Sequence, residues 1–142
     1  MTVHQLSVFL ENRSGTLVKV LKCLKREKIR LVASMIADTA EYGICRFICS
    51  DPQRAYDVLK EEGVAVSLCE VFAVQLDDRL GRVADVIEIF ANEGISIAYL
   101  YSFVVDGRGV LVFRTDNAER AREVIAANDL GTIADADLAK LN

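Results

Sequence analysis

Apolar and polar positions alternate at Leu6, Val8, Leu10 and again at Phe72, Val74, Leu76, the period of a strand with one buried face. Each stretch runs into a glycine-containing turn, after which the period changes to that of a helix. Leu17, Val20, Leu21 and Leu24 follow the i, i+3, i+4, i+7 spacing, and Val83, Val86, Ile87 and Phe90 repeat it. Gly94 suits the left-handed position that ends such a helix, a place Lys28 takes earlier in the chain. Strands are predicted at 31–37 and 44–49, and again at 97–104 and 110–115. Gly43 and Gly109 fall at the connecting turns, and Asp106-Gly107 is a hairpin signal. Asp51 and Pro52 predict the N-cap and first residue of a helix buried through Ala55, Val58 and Leu59. Asn117 and Ala118 do the same ahead of Ala121, Val124 and Ile125. A strand at 64–68 closes the first series, a weaker one at 130–134 closes the second, and 135–141 adds a short helix.

The two series are one sequence written twice. A shift of 66 residues, with no gap, sets Val8 on Val74, Arg13 on Arg79, Gly15 on Gly81, Val20 on Val86 and Glu27 on Glu93. The register continues through Ile29 on Ile95, Gly43 on Gly109, Phe47 on Phe113 and Val58 on Val124. A β-α-β-β-α-β order places two crossover helices on one face of an antiparallel sheet. The expected fold is therefore α+β, two ferredoxin-like βαββαβ units in tandem, at 1–68 and 69–134, with a tail at 135–142. Units of about 65 residues are small for independent cores, so each is expected to depend on the other.

Composition narrows the function. Hydrophobic residues make up 52% and charged residues 27%, enough for a packed core. The uncharged stretch at 95–105 is too short for a membrane helix, and no secretory pattern opens the chain, so a soluble cytoplasmic protein is expected. A net charge of −4 and a pI near 5.0 argue against nucleic acid as a partner. The one basic cluster, Lys19, Lys22, Lys25, Arg26, Lys28 and Arg30, reads as the solvated side of a helix. Cys23, Cys45, Cys49 and Cys69 contain no closely spaced pair and read as buried thiols rather than a metal site or disulfides. No metal or cofactor is expected.

Candidate chemistry gathers at the strand-to-helix turns, 11–16 and 77–82. A helix N-terminus offers unpaired N–H groups and partial positive charge to a carboxylate, and Asn12, Asp78, Glu11 and Asp77 could accept bonds from an ammonium group. Such a turn suits a zwitterion. The plainer reading is that Asn12 or Ser14 caps the helix and Gly15 relieves strain.

The string Val8-Phe9-Leu10-Glu11-Asn12-Arg13-Ser14-Gly15-Thr16-Leu17, followed by a helix and by Glu27-Lys28-Ile29-Arg30-Leu31, resembles the ACT domain, an amino-acid-binding regulatory module. The second copy supplies Leu76-Asp77-Asp78-Arg79-Leu80-Gly81 and Glu93-Gly94-Ile95-Ser96-Ile97. The strings at 36–44 and 99–103 look like the stand-alone tandem-ACT proteins of bacteria, and the likeness covers nearly the whole chain. The family's usual proline before the turn glycine is replaced by Ser14 and Leu80, and its asparagine at the start of the second strand by Arg30 and Ser96. These departures leave the ligand open.

The resemblance implies that an amino acid binds between ACT units, the turn of one facing the second strand of its neighbour. Carried over, the candidate residues are Asn12, Ser14, Gly15 and Thr16, with Asp78, Leu80 and Gly81 in the second copy. The facing strand positions are Ile36, Ala37, Asp38, Tyr99, Tyr101 and Ser102. The copies differ at Asn12/Asp78, Ser14/Leu80, Asp38/Val104 and Met35/Tyr101, which points to an asymmetric pocket where the units meet. The implied protein is a sensor without a catalytic domain; alternatively it is a regulatory subunit acting in trans on a metabolic enzyme. A homodimer fits the same resemblance. Acylphosphatases share the topology and use a first-turn arginine, as Arg13 and Arg79 would be, but their glycine-rich phosphate cradle is missing, and His4 precedes the first strand. RNA binding would need more aromatics on the middle strands than Phe47 and Phe113 provide.

Overall fold

A computed structural model describes residues 1–11, 13–38 and 42–141. The element order is β1 (Thr2–Glu11), α1 (Thr16–Arg26), β2 (Leu31–Asp38), β3 (Tyr42–Cys49), α2 (Pro52–Glu61), β4 (Ala65–Leu76), α3 (Arg82–Asn92), β5 (Ile97–Val105), β6 (Arg108–Thr115), α4 (Ala118–Ala127) and α5 (Asp135–Ala139). Two compact units result. One comprises His4–Glu70 and Asp135–Asn142; the other comprises Met1–Val3 and Val71–Ala134. The fold is α+β, with the βαββαβ order repeated.

In the first unit the strand order is β2-β3-β1-β4, with β3 antiparallel to both neighbours. Leu6, Val8, Cys45, Phe47 and Cys49 share the face on which both helices lie, against Val20, Cys23 and Leu24 of α1 and Ala55 and Leu59 of α2. Cys23 thus joins the buried stripe of α1, while Leu17 and Leu21 are only partly buried. The second unit repeats the order as β4-β6-β5 and packs Phe72, Val74, Leu111 and Phe113 against Val86, Phe90, Ala121, Val124 and Ile125. Phe113 sits at the centre, with ring centroids 5.6 Å from Phe72 and 5.0 Å from Phe90. Val83, expected in the α3 stripe, is 40% exposed.

The caps follow the residues. Asp51 and Asn117 accept hydrogen bonds from the backbone N–H groups of Arg54 and Arg120, and Pro52 opens α2. Lys28 and Gly94 take positive φ of 58° and 72° after α1 and α3, as do Gly63 and Asp129 after α2 and α4. Asp106 and Gly107 both have positive φ, the two-residue turn that matches the twist of a hairpin. Three details differ from the sequence reading. Nothing between 64 and 76 breaks the backbone, so the two strands expected there are the single strand β4. Gly43 and Gly109 lie inside β3 and β6, each paired on both sides, rather than in the turns. The weak strand at 130–134 is reduced to one bridge, Val74 with Thr132.

Replacing Phe113 by Ala should cost about 3–5 kcal/mol, since a fully buried aromatic leaves a cavity its strand-bound neighbours cannot fill. Gly81→Ala, which meets open space but must keep φ 79°, should cost only about 1–2 kcal/mol. Urea unfolding of both variants checks the order.

Candidate functional site

Each strand-to-helix turn is braced by its own backbone and side chains. In the first, the Thr16 hydroxyl lies 3.0 Å and 2.9 Å from the carbonyl oxygens of Glu11 and Arg13, to which it can donate, and Arg13 pairs with Glu11 at 2.8 Å. In the second, Asp77 accepts from the backbone N–H of Arg79 at 3.1 Å and from its Nε at 3.1 and 3.2 Å. Those bonds from Arg79, aided by its charge and that of Arg82, hold the Asp77 carboxyl below the usual carboxylate range. The two arginines that invite comparison with acylphosphatases are therefore both engaged with turn carboxylates.

The helices that follow are uncapped by any side chain. Gly15 (φ 90°) and Gly81 (φ 79°) occupy the N-cap positions of α1 and α3, so the expected cap by Ser14 is not made. A Cβ added at either glycine would meet nothing within 4 Å, so glycine is there for its backbone angle. Among the described residues, no acceptor reaches the N–H groups of Leu17 and Val18 in α1 or of Val83 and Ala84 in α3. This is the opposite of α2 and α4, whose side-chain caps are in place.

Strand register brings the turns to a defined neighbour. Leu76 pairs with Gly109, which pairs on its other side with Val104. Leu10, Gly43 and Asp38 form the same line in the first unit. In the second unit this end of the sheet opens into a cleft of about 740 Å³, lined by Gln75, Leu76, Asp77, Asp78, Arg82, Val104, Gly107, Arg108, Gly109 and Gly131. Gly109 and Gly131 keep it open, since a Cβ on either would sit 3.3 Å from Leu76 or Gln75.

The lining holds charges of both signs. The side chains of Asp78 and Arg108 make no hydrogen bond or ion pair with any described residue. Arg82 has its Nε buried without a hydrogen-bond acceptor, the nearest carboxylate oxygen, of Asp77, lying 3.5 Å away.

Of the sequence candidates, Asp78 lines this cleft. Gly81 starts the adjoining helix, and Leu80 is fully exposed beside it. Ser102 shares a face of β5 with Val104, two residues away. Tyr99 and Tyr101 are opposite Arg114 and Val112, on the other face of the strand from Ser102 and outside the cleft lining. Ser14 and Gly15 are exposed at the first turn, Ile36 is 55% exposed on the edge strand, and Ala37 and Asp38 are placed by their pairing with Ile44 and Gly43. Asn12 lies outside the described residues. Sequence reasoning missed Arg82 and Arg108, whose only local signal was a charge next to a turn.

A second cavity, about 520 Å³, lies in the first unit and is lined by His4, Ser50, Asp51, Leu68 and Asp135 among others. Its histidine is already held: the His4 backbone N–H donates to Asp135 at 2.9 Å, and the ring Nδ1 contacts the same carboxylate. The adjoining helix is capped by Asp51, so this cavity offers an anion neither free amides nor a lysine or arginine side chain.

A family model for an ACT domain pair matches residues 1–142. The chain belongs to the ACT domain pair family. A solved protein from Bacteroides thetaiotaomicron is 38% identical to this ACT domain pair, with a TM-score of 0.91 over 99% of this chain and 97% of that one. The regulatory subunit of aspartate kinase from Thermus thermophilus, in a ligand-free form, shares the fold at 16% identity and a TM-score of 0.58, over 87% and 91% of the chains. No curated protein matches the sequence. None of the described helices is long and apolar enough to cross a membrane.

The cysteines of the ACT domain pair are free. Burial pushes the Cys49 thiol up to about 12 and also raises those of Cys23 and Cys45; Cys69 is partly exposed. Thiol labelling of the native protein at mildly alkaline pH should modify Cys69 readily and the other three only after denaturation.

Proposed function

We propose that this ACT domain pair is a regulatory sensor for a free amino acid or a similar small zwitterion, and that the cleft of the second unit is a site for it. The observation that carries the reading is the pair of uncommitted, opposite charges, Asp78 and Arg108, on one cleft beside an uncapped helix N-terminus. Asp78 receives the ammonium group. Arg108, aided by the charge of Arg82 and the positive end of α3, receives the carboxylate. Two arginines and two aspartates leave the lining neutral overall, which matches a zwitterion better than a phosphate or a polyamine.

By the repeat, the same reading extends to the first unit, with Ser14, Gly15 and Thr16 at the turn and Ile36, Ala37 and Asp38 on the strand in register with it. Its chemistry differs, because Asn12 replaces Asp78 and Asp38 replaces Val104. Gly81 and Leu80 stand at the turn beside the second-unit site, and Ser102 on the strand face that carries Val104. Tyr99 and Tyr101 lie on the other face of β5 and take no part in it. Ligand occupancy then biases the conformations of the ACT units and so the activity of whatever they control.

A thermal-shift screen with the twenty amino acids should raise the melting temperature for one or a few, since a ligand that binds only the native state stabilises it by mass action. Asp78→Asn and Arg108→Ala should each abolish the response while leaving the unliganded melting temperature nearly unchanged, because both side chains are free of protein partners. A flat response to every amino acid, or one that survives both substitutions, would contradict the assignment.

A further inference from the structure

The solvent faces of α1 and α3 carry opposite charges at equivalent positions of the repeat. Residues 13–30 hold seven of the seventeen basic side chains and one of the twenty-one acidic ones, in a chain whose net charge is −4. Within that segment Lys19 and Lys22 stand one turn apart on α1. The 66-residue shift that superposes the copies puts Asp85 and Glu88 in their places on α3. All four are exposed or nearly so, and none forms an ion pair with any described residue. Most arginines, by contrast, are paired: Arg26 with Glu62 and Glu27, Arg54 with Glu27, and Arg120 with Glu93 and Glu123.

The arrangement opposes the stability of α1 in isolation, whereas Asp85 suits the start of α3. Lys19 lies at the start of α1, where the helix dipole disfavours a cation, and the first turn has no acid to offset it. Lys19 and Lys22, like Asp85 and Glu88, are like-charged at i, i+3. Both faces also carry exposed apolar surface: Val18 is 47% and Val83 40% exposed. On the basic side, Lys19 and Lys22 flank a groove of about 380 Å³ that includes Val18 and Val64.

We infer that α1 of one chain docks on α3 of a second copy of the same chain, with Lys19 and Lys22 against Glu88 and Asp85. The two faces sit on the same scaffold, so their charges have the same axial spacing and helical phase. Antiparallel packing of the two helices then opposes Lys19 to Glu88 and Lys22 to Asp85. The exposed valines at the helix starts add apolar contact. The mode depends on charge, so it weakens as salt shortens the screening length to about 3 Å near 1 M.

Sedimentation of the full chain at low salt should show self-association that declines as salt is added. Lys19→Glu with Lys22→Glu should weaken it about tenfold or more, and so should Asp85→Lys with Glu88→Lys, since each leaves like charges facing one another. An equal mixture of the two reversed chains should associate again, because every facing pair is then opposite in sign. That recovery also shows that neither variant simply failed to fold. A wild-type chain that stays monomeric, reversals that leave association intact, or a mixture of folded variants that fails to recover it would overturn the inference. The readout does not depend on any amino acid, so it stands or falls separately from the sensor assignment.

Discussion

A strand of this protein turns into a helix through a single residue at positive φ, and only glycine takes that angle without strain. Gly15 and Gly81 hold φ near 80–90° with open space where a side chain would be, so the constraint is on the backbone and not on packing. With glycine as N-cap there is no side-chain oxygen to receive the first amides of α1 and α3. Among the described residues nothing receives them. The same turn fixes the last strand residue before it, Leu10 or Leu76, in register with a glycine of the middle strand and with the end of the edge strand. Fold and candidate site are therefore consequences of one local geometry used twice.

Duplication then allows the copies to diverge where no packing depends on them. Phe47 and Phe113, or Ala55 and Ala121, are fully buried in matching positions and must stay alike. Asp38 and Val104, Lys19 and Asp85, and Lys22 and Glu88 stand at sheet ends and solvent faces, and there the copies disagree in charge, as they do in sequence at Asn12 and Asp78. Under the proposed sensor role, divergence at the sheet end sets which ligand each turn accepts. On the helix faces it converts a repeat into a pair of complementary surfaces.

The scaffold was legible because its signals are local. Period-two alternation around Val8, the 3.6 period through Val20 and Leu24, the Asp51-Pro52 cap and the Asp106-Gly107 hairpin each depend on neighbours in sequence, and each appears where expected. Val83 keeps the helical period yet stands exposed, since periodicity marks a helix face and not how much of it is covered. Cys23 is buried as expected, whereas Cys69, read with it as a buried thiol, is partly exposed. The site was half legible. Asp78 and Gly81 announce themselves at the turn, but Arg108 reaches the cleft only through the pairing of three strands, a long-range relation that a single sequence does not display. The cap expected from Ser14 misled because a serine one residue before glycine reads as a helix start, whereas the glycine itself is the N-cap.

In the proposed sensor, a zwitterion is held between the start of α3 and the β5–β6 hairpin. Backbone amide NMR during titration with the stabilising amino acid tests it most directly. The account predicts saturable shifts concentrated at Asp78, at Val83 and Ala84, and at Gly107, Arg108 and Gly109, lost in the Arg108→Ala protein. Shifts confined to the His4 and Asp135 cavity, or a titration that leaves the amides of α3 and the hairpin unmoved, would contradict it.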